Sequence, residues 1–191
     1  MPLACADLLE ANTGALRADG IDSQRPQCRC EEFVRTALGA VDPNELLLRF
    51  IVAPQHFNEK KQQVRHQALS HAESVGMSTF RDAHTTDEQI VNMATIVIEN
   101  AKRSNVKAAF KGVLTFRAAR PKVERPDEGC AVYCIYDSPH HGVDGHAEIF
   151  QRVHGASEDL KQMRRMWLFE TIDADLIAPE QFRGGILSHL V

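Results

Sequence analysis

The sequence has no run approaching the roughly 20 apolar residues that a helix needs to cross a bilayer. It also has no excess of basic residues: 22 Lys and Arg stand against 26 Asp and Glu, which leaves a formal charge of −4. Proteins that bind nucleic acids usually carry a basic excess. We therefore expect no membrane partner. A nucleic-acid partner is disfavoured, and only local clusters of Lys and Arg support one.

The even, regularly spaced cysteines of a disulfide framework are missing as well, since the chain has five cysteines. Cys28 and Cys30 are separated by one residue, and Cys130 and Cys134 by three, so neither pair has the Cys-x2-Cys spacing typical of thiolate metal sites. The first residues lack the basic segment and apolar stretch of a secretory leader. These absences predict reduced thiols and a cytoplasmic location.

The composition is that of a folded globular chain with one core, since 43% of the 191 residues are apolar and 25% are charged. Runs of predicted strands, with one long helix between them and helices at both ends, are typical of the α+β class. We expect a single mixed or antiparallel sheet packed by one long central helix, with an N-terminal helical pair and a C-terminal helix. Residues 1–42 form the predicted helical segment, and residues 43–191 form the α+β core.

The clearest predicted helix covers residues 87–103, where apolar residues recur at helical spacing. Thr86 with Gln89, or Thr85 with Glu88, can form a capping box at its start. The other predicted helices cover residues 3–18, closed by Gly20, residues 28–38, and a C-terminal segment capped by Ser157. The predicted strands cover residues 46–53, 76–81, 108–118, 130–136 and 147–153.

A His-rich loop precedes the last predicted strand. His140, His141 and His146, with Asp144 or Glu148, supply donor atoms that suit zinc. Their spacing matches no metal signature, so we favour a polar loop with local hydrogen bonds over a metal site. His146 and Glu148 are two residues apart in a strand, and they are therefore predicted to share one face of it.

Arg49 interrupts the first apolar strand. A charge in such a strand must reach solvent, pair with a carboxylate or bind an anionic ligand, because an unpaired buried charge is costly. Structural pairing and anion binding both stay open. In the second case we expect a polar cleft for a nucleotide-like or other anionic ligand. The predicted ligand-binding residues are Arg49, Ser78 and Thr79. The predicted catalytic residues are His56, His146 and Glu148.

The order of these motifs resembles a group of small uncharacterised bacterial α+β proteins. The motifs are Leu47-Leu48-Arg49-Phe50, Gly76-Met77-Ser78-Thr79-Phe80-Arg81, Thr85-Thr86-Asp87-Glu88 and His146-Ala147-Glu148-Ile149. They correspond to a strand arginine, a serine-containing strand before a Thr-capped helix, and a late His-Ala strand. The group implies no particular activity.

A remoter resemblance is to ADP-ribosyltransferase-like and RES-domain folds, in which a first-strand Arg and a Ser/Thr strand line an NAD cleft. This resemblance implies NAD as a substrate, no other required cofactor, and a role as an NAD-consuming toxin or defence factor. Arg49 would then orient phosphate, and Glu148 would stabilise the cationic ribosyl centre. The sequence departs from these folds in its short Arg-to-Ser spacing and in lacking a Glu-x-Glu motif.

An alternative hypothesis is a non-catalytic subunit or adaptor that binds a protein partner. Its docking face would be the N-terminal helices or the C-terminal helix. The apolar stripe predicted on the C-terminal helix consists of Leu160, Met163, Met166 and Trp167, with Lys161, Arg164 and Arg165 on the other face. Exposed Met and Trp side chains would favour docking, whereas burial would make the stripe ordinary core. The oligomeric state does not follow from the sequence.

Overall fold

A computed structural model describes residues 7, 9, 14–24, 36–140 and 142–191. Its α-helices are α1 (Arg17–Gln24), α2 (Asp87–Ser104) and α3 (Glu158–Thr171). Its 3₁₀ segments cover Gly14–Leu16, His66–Glu73, Asp82–His84, Phe182–Gly184 and Ser188–Leu190. Its strands are β1 (Leu46–Ala53), β2 (Phe57–Asn58), β3 (Gln63–Val64), β4 (Met77–Arg81), β5 (Ala109–Arg117), β6 (Glu124–Arg125), β7 (Cys130–Ala131), β8 (Tyr133–Asp137), β9 (His146–Gln151) and β10 (Asp175–Ile177).

Six of the strands form one sheet in the order β10-β5-β1-β4-β9-β8, and every neighbouring pair is antiparallel. Two small ladders, β2–β3 and β6–β7, lie outside this sheet. The α+β class and the antiparallel sheet are thus confirmed. Among the described residues, no helix is long and apolar enough to cross a membrane.

Side chains alternate across β1 between two hydrophobic cores, as expected for a strand buried on both faces. Leu47 and Ile51 belong to the first core, which also contains residues of the 3₁₀ segment His66–Glu73 and of α3. Leu48 and Phe50 belong to the second core, which contains the buried stripe of α2. Because helical segments cover both faces, packing of the sheet by one central helix is not confirmed.

Local sequence signals place most core elements correctly. The predicted strands at 46–53, 76–81, 108–118 and 147–153 correspond to β1, β4, β5 and β9 within one or two residues. The predicted strand at 130–136 is divided into β7 and β8. The helix predicted over residues 87–103 is α2, and the Thr86–Gln89 capping box at its start is present.

The N-terminal prediction needs correction, because Gly20 lies inside α1 and does not close a helix. Ala18 and Ile21 flank Gly20 and are buried against Tyr136 and Phe150 of the sheet in a third, smaller core. This burial outweighs the low helix propensity of glycine. The helix predicted over residues 28–38 lies outside the described residues except for 36–38, which form a bend and a turn. The division after residue 42 stays a prediction.

The predicted faces of α3 are correct only in part. Trp167 of the predicted apolar stripe packs against the first core, but the buried residues of the helix are Arg164 and Leu168, whereas Met163 and Met166 are 52% and 42% exposed. Arg164 is buried because its guanidinium binds both carboxylate oxygens of Glu128 and a backbone carbonyl oxygen. These long-range partners let a charged side chain occupy the face that the apolar pattern assigned to solvent.

The cap of α2 can be tested with Thr86→Ala. Thr86 Oγ1 accepts a hydrogen bond from the Gln89 N–H at 3.2 Å, and Gln89 Oε1 accepts from the Thr86 N–H at 3.0 Å. Losing this box should lower the free energy of unfolding in urea by about 1 kcal/mol.

The matched control is Thr95→Ala. Thr95 Oγ1 donates to the Val91 carbonyl oxygen within the same helix, and its loss should change stability by less than about 0.5 kcal/mol. Equal losses for the two variants would show that the cap has no special role.

Candidate functional site

The sheet opens between β1 and β4. The two strands pair only at Leu47–Arg81 and Leu48–Phe80, although β1 runs on to Ala53 and β4 begins at Met77. The Ser78 carbonyl oxygen faces β1, since backbone groups alternate in direction and the Arg81 N–H donates towards β9. Arg49 Nη1 donates to this oxygen at 3.0 Å. The Arg49 side chain thus takes the place of the next backbone hydrogen bond between β1 and β4.

A cavity of about 540 Å³ lies at this opening. Arg49 shares the alternation of Leu47 and Ile51 in the first core, whereas Phe50 and Val52 belong to the second core. Because Arg49, Phe50 and Val52 all line the cavity, it lies at the gap between the strands. Further walls come from β4, from the α2 surface, and from the turn and 3₁₀ segment after β1. These walls include Ser78, Phe80, Met93, Ile96, Val97, His56, His71 and His140.

The Arg49 side chain brings a buried positive charge to the cavity wall. Arg49 is only 8% exposed, and this burial lowers the pKa of its guanidinium to about 10. The group is therefore still charged at neutral pH. Across the described part of the chain Arg49 forms no ion pair, and its Nε has no hydrogen-bond partner. Apart from the bond to Ser78, the cation is uncompensated.

The two other buried arginines of the described residues are neutralised by carboxylates. Arg81 is 1% exposed and binds both oxygens of Glu45 at 2.6 Å, with Asp137 at 3.4 Å. Arg164 pairs with Glu128, as described above. A structural buried arginine in this protein thus has an acid partner, as expected from the cost of an unpaired buried charge. Arg49 departs from that pattern.

Two neutral histidines lie near this charge. Burial lowers the pKa of His56 to about 3, and repulsion from the Arg49 guanidinium, and from His71 when His71 is protonated, adds to the effect. Burial and Arg49 lower the pKa of His71 as well. The Val52 N–H lies 3.4 Å from His56 Nδ1, and His56 Nε2 is buried with no partner among the described residues. His56 therefore has an unpartnered nitrogen, as Arg49 has in its Nε.

Glu148 lies opposite Ser78 on β9, but it does not line the cavity. One of its carboxylate oxygens accepts from Arg17 Nη1 at 2.6 Å, and the other accepts from Ser138 Oγ at 2.7 Å. Both oxygens are therefore occupied. The carboxylate closest to the opening in the register of the sheet does not neutralise Arg49.

His146 lies behind Phe80, its partner in the sheet register, and its ring is 5.4 Å from that of Phe80. Its Nδ1 donates to the Ser138 carbonyl oxygen, and its Nε2 has no partner in the described chain. Burial lowers the pKa of His146 to about 4, so the imidazole is neutral at pH 7. The ring centroid of His140, which does line the cavity, is 5.2 Å away.

The structure thus places the predicted site residues in two groups. Arg49, Ser78 and His56 line one cavity, whereas His146 and Glu148 lie beside it. Thr79 alternates to the opposite face, where its Oγ1 donates to the Ala147 carbonyl oxygen at 3.0 Å.

Sequence reasoning missed the contributions of His71, His140 and α2 to the wall of the cavity. One signal was available in α2: Ile96 is apolar but lies off the main apolar stripe of that helix, and it is 39% exposed at the cavity.

Metal binding gains no support from the described residues, in which no group of three or more His, Cys, Asp and Glu side chains is placed to hold an ion. His141, Cys28 and Cys30 lie outside the described residues.

Comparison with protein-family models, curated proteins and solved structures finds no match to this chain. The site must therefore be interpreted from its own geometry.

The burial of His146 predicts a loss of stability in acid. The pKa of His146 is about 4 in the folded chain, compared with the ordinary value of 6.5 for a histidine exposed to water, as in the unfolded chain. The unfolded chain therefore binds the proton first, so this stability is complete above pH 6.5 and is lost as the pH falls towards 4. The loss is on the order of 3 kcal/mol between pH 7 and pH 4.

His146→Asn keeps a donor near the position of Nδ1 but cannot titrate. Urea unfolding at a series of pH values should show that the dependence of unfolding free energy on pH falls by up to one proton between pH 6.5 and 4. The control is His189→Asn, because His189 is exposed and its ring is solvated in both states. An unchanged pH dependence in His146→Asn would contradict the prediction.

Proposed function

We propose that this protein binds a small anionic ligand in the cavity between β1, β4 and α2, with the Arg49 guanidinium as its anion-binding group. The observation that carries this proposal is a buried cation that lines a cavity and has no acid partner among the described residues. The cavity volume of about 540 Å³ lies within the range of roughly 300–1,000 Å³ that is usual for small-molecule sites.

A guanidinium suits a carboxylate or a phosphate. Arg49 Nη1 is held by the Ser78 carbonyl oxygen, which orients the guanidinium and leaves its Nε without a partner in the described chain. His56, with an unpartnered Nε2, also lines the cavity. Charge-assisted hydrogen bonds from a guanidinium are stronger than neutral ones, and a preoriented group loses less freedom on binding.

Consumption of NAD by a toxin or defence factor is the catalytic form of the proposal. In that form Glu148 would have to stabilise a cationic ribosyl centre, and Arg17 would have to release it, because Arg17 and Ser138 occupy its two oxygens. Simple ligand binding needs no such rearrangement. We therefore favour binding over catalysis, with NAD retained as one candidate ligand.

An adaptor function is the second candidate, and the exposure of Met163 and Met166 on α3 favours it. Size-exclusion chromatography with light scattering tests it directly. A protein that stays monomeric and purifies without a partner would count against an adaptor. The cytoplasmic location stays a prediction from cysteine usage.

Arg49→Met tests whether the cation is retained for binding or for stability. The lowered pKa of Arg49 corresponds to about 3 kcal/mol of unfavourable burial. Its removal offsets the loss of the Ser78 hydrogen bond, which costs about 1–3 kcal/mol. We expect the free energy of unfolding in urea to change by less than about 1 kcal/mol or to rise.

The matched control is Arg81→Met, which removes the guanidinium that binds Glu45 and lies 3.4 Å from Asp137. It should lose about 3–5 kcal/mol. A comparable loss in Arg49→Met would assign Arg49 a structural role and remove the main support for the site.

Thermal unfolding with benzoate, inorganic phosphate or NAD, each compared with NaCl at equal ionic strength, tests binding itself. A true ligand should raise the melting temperature of the wild type by roughly 5 °C or more at a concentration near 100 times its Kd. The same anion should have little effect on Arg49→Met. Equal shifts in both proteins would show that the anion acts elsewhere.

A further inference from the structure

The charge and the walls of the cavity narrow the class of ligand. Within the described lining, Arg49 is the only Arg or Lys side chain, and the lowered pKa values of His56 and His71 favour their neutral forms. One cation compensates one negative charge. Nucleoside monophosphates and other phosphate monoesters carry a charge of about −1.5 to −2 near neutral pH, and the sites that bind them usually supply several donors and cations.

Part of the cavity wall is apolar. The rings of Phe50 and Phe80 have their centroids 5.0 Å apart, and both side chains line the wall. Met93, Ile96 and Val97 of α2 line it as well. A ligand in contact with these side chains would bury apolar surface, which favours binding.

The C-terminal end of α2 adds no positive charge to the cavity wall. Asn100, Ser104 and Asn105 line the cavity, and they belong to the C-terminal end and the C-cap of α2. The carbonyl groups at the C-terminus of a helix carry a partial negative charge. These residues can accept or donate neutral hydrogen bonds, but they provide no cation for a phosphate.

We infer that the ligand is an apolar monocarboxylate, whose carboxylate binds Arg49 and whose aliphatic or aromatic body lies between Phe50, Phe80 and α2. This inference rests on the anion-binding function proposed above and replaces the nucleotide-like ligand with a narrower class. A fatty-acid-like or aryl carboxylate has one negative charge and an apolar body, which match the one guanidinium and the apolar side chains of the described cavity lining.

Isothermal titration calorimetry with octanoate, 1-octanol and AMP tests the inference on the full chain. Octanoate has both the charge and the apolar body, octanol lacks the charge, and AMP has the higher charge without the apolar chain. We expect octanoate to bind at least about tenfold more tightly than either of the others. Arg49→Met should weaken octanoate binding about tenfold or more, since it removes a charge-assisted interaction.

A second variant probes the apolar wall independently of Arg49. Ile96→Gln keeps a good helix former at a partly exposed position of α2, and it should weaken octanoate binding severalfold because it makes the wall polar. Met166→Gln is the matched control, since Met166 has similar exposure on α3 and lies outside the cavity lining. It should leave octanoate binding unchanged.

The outcomes separate the two proposals. Tighter binding of AMP than of octanoate, lost in Arg49→Met, would overturn the monocarboxylate and keep the anion site. Equal affinity for octanol and octanoate would overturn the monocarboxylate as well, since charge would have no role. The absence of any binding that depends on Arg49, for AMP as for octanoate, would overturn both. An Ile96→Gln variant that binds octanoate as the wild type does would overturn the apolar monocarboxylate and keep the anion site.

Discussion

The hydrogen bond from Arg49 to the Ser78 carbonyl oxygen joins two strands that have stopped pairing, and the site depends on it. On the paired side, Arg81 stands opposite Leu47 and is neutralised by Glu45 and Asp137. On the open side, Arg49 spans the gap without an acid partner in the described chain. Two arginines on neighbouring strands thus mark the two ends of the β1–β4 contact, one closed by carboxylates and one facing a cavity.

The distribution of acidic groups explains why Arg49 stays uncompensated. Glu148 stands opposite Ser78 and is the nearest carboxylate in the sheet register, but Arg17 from α1 and Ser138 use both of its oxygens. Arg17 also stacks on Phe150, with its guanidinium carbon 5.3 Å from the ring centroid. The ion pair between Arg17 and Glu148 therefore attaches α1 to the sheet, and it also keeps Glu148 from neutralising Arg49.

Local patterns in the sequence were sufficient for the strands, for α2 and for its cap, because these depend on alternation, helical spacing and capping residues that lie close together in the chain. The shared face of His146 and Glu148 follows from the same alternation, and the structure agrees, since they pair with Phe80 and Ser78. The position of Arg49 within an apolar strand also indicated correctly that its side chain has unusual surroundings, since it lines a cavity.

The features that the sequence patterns do not predict depend on contacts between residues distant in sequence. Nothing local shows that β1 and β4 separate after two pairs, and this separation opens the cavity beside Arg49 and Ser78. The burial of Arg164 likewise requires Glu128, which lies 36 residues away. The helical state of Gly20 requires the sheet against which its neighbours pack.

The comparison of Arg49 with Arg81 gives the site its physical meaning. Both guanidinium groups are removed from water, and both need negative charge nearby to offset the lost solvation. For Arg81 that negative charge comes from two side chains of the protein itself, Glu45 and Asp137. Arg49 has a cavity beside it instead. A bound carboxylate would complete the same arrangement from outside the chain, so ligand affinity and the stability of this part of the sheet should be linked through one interaction.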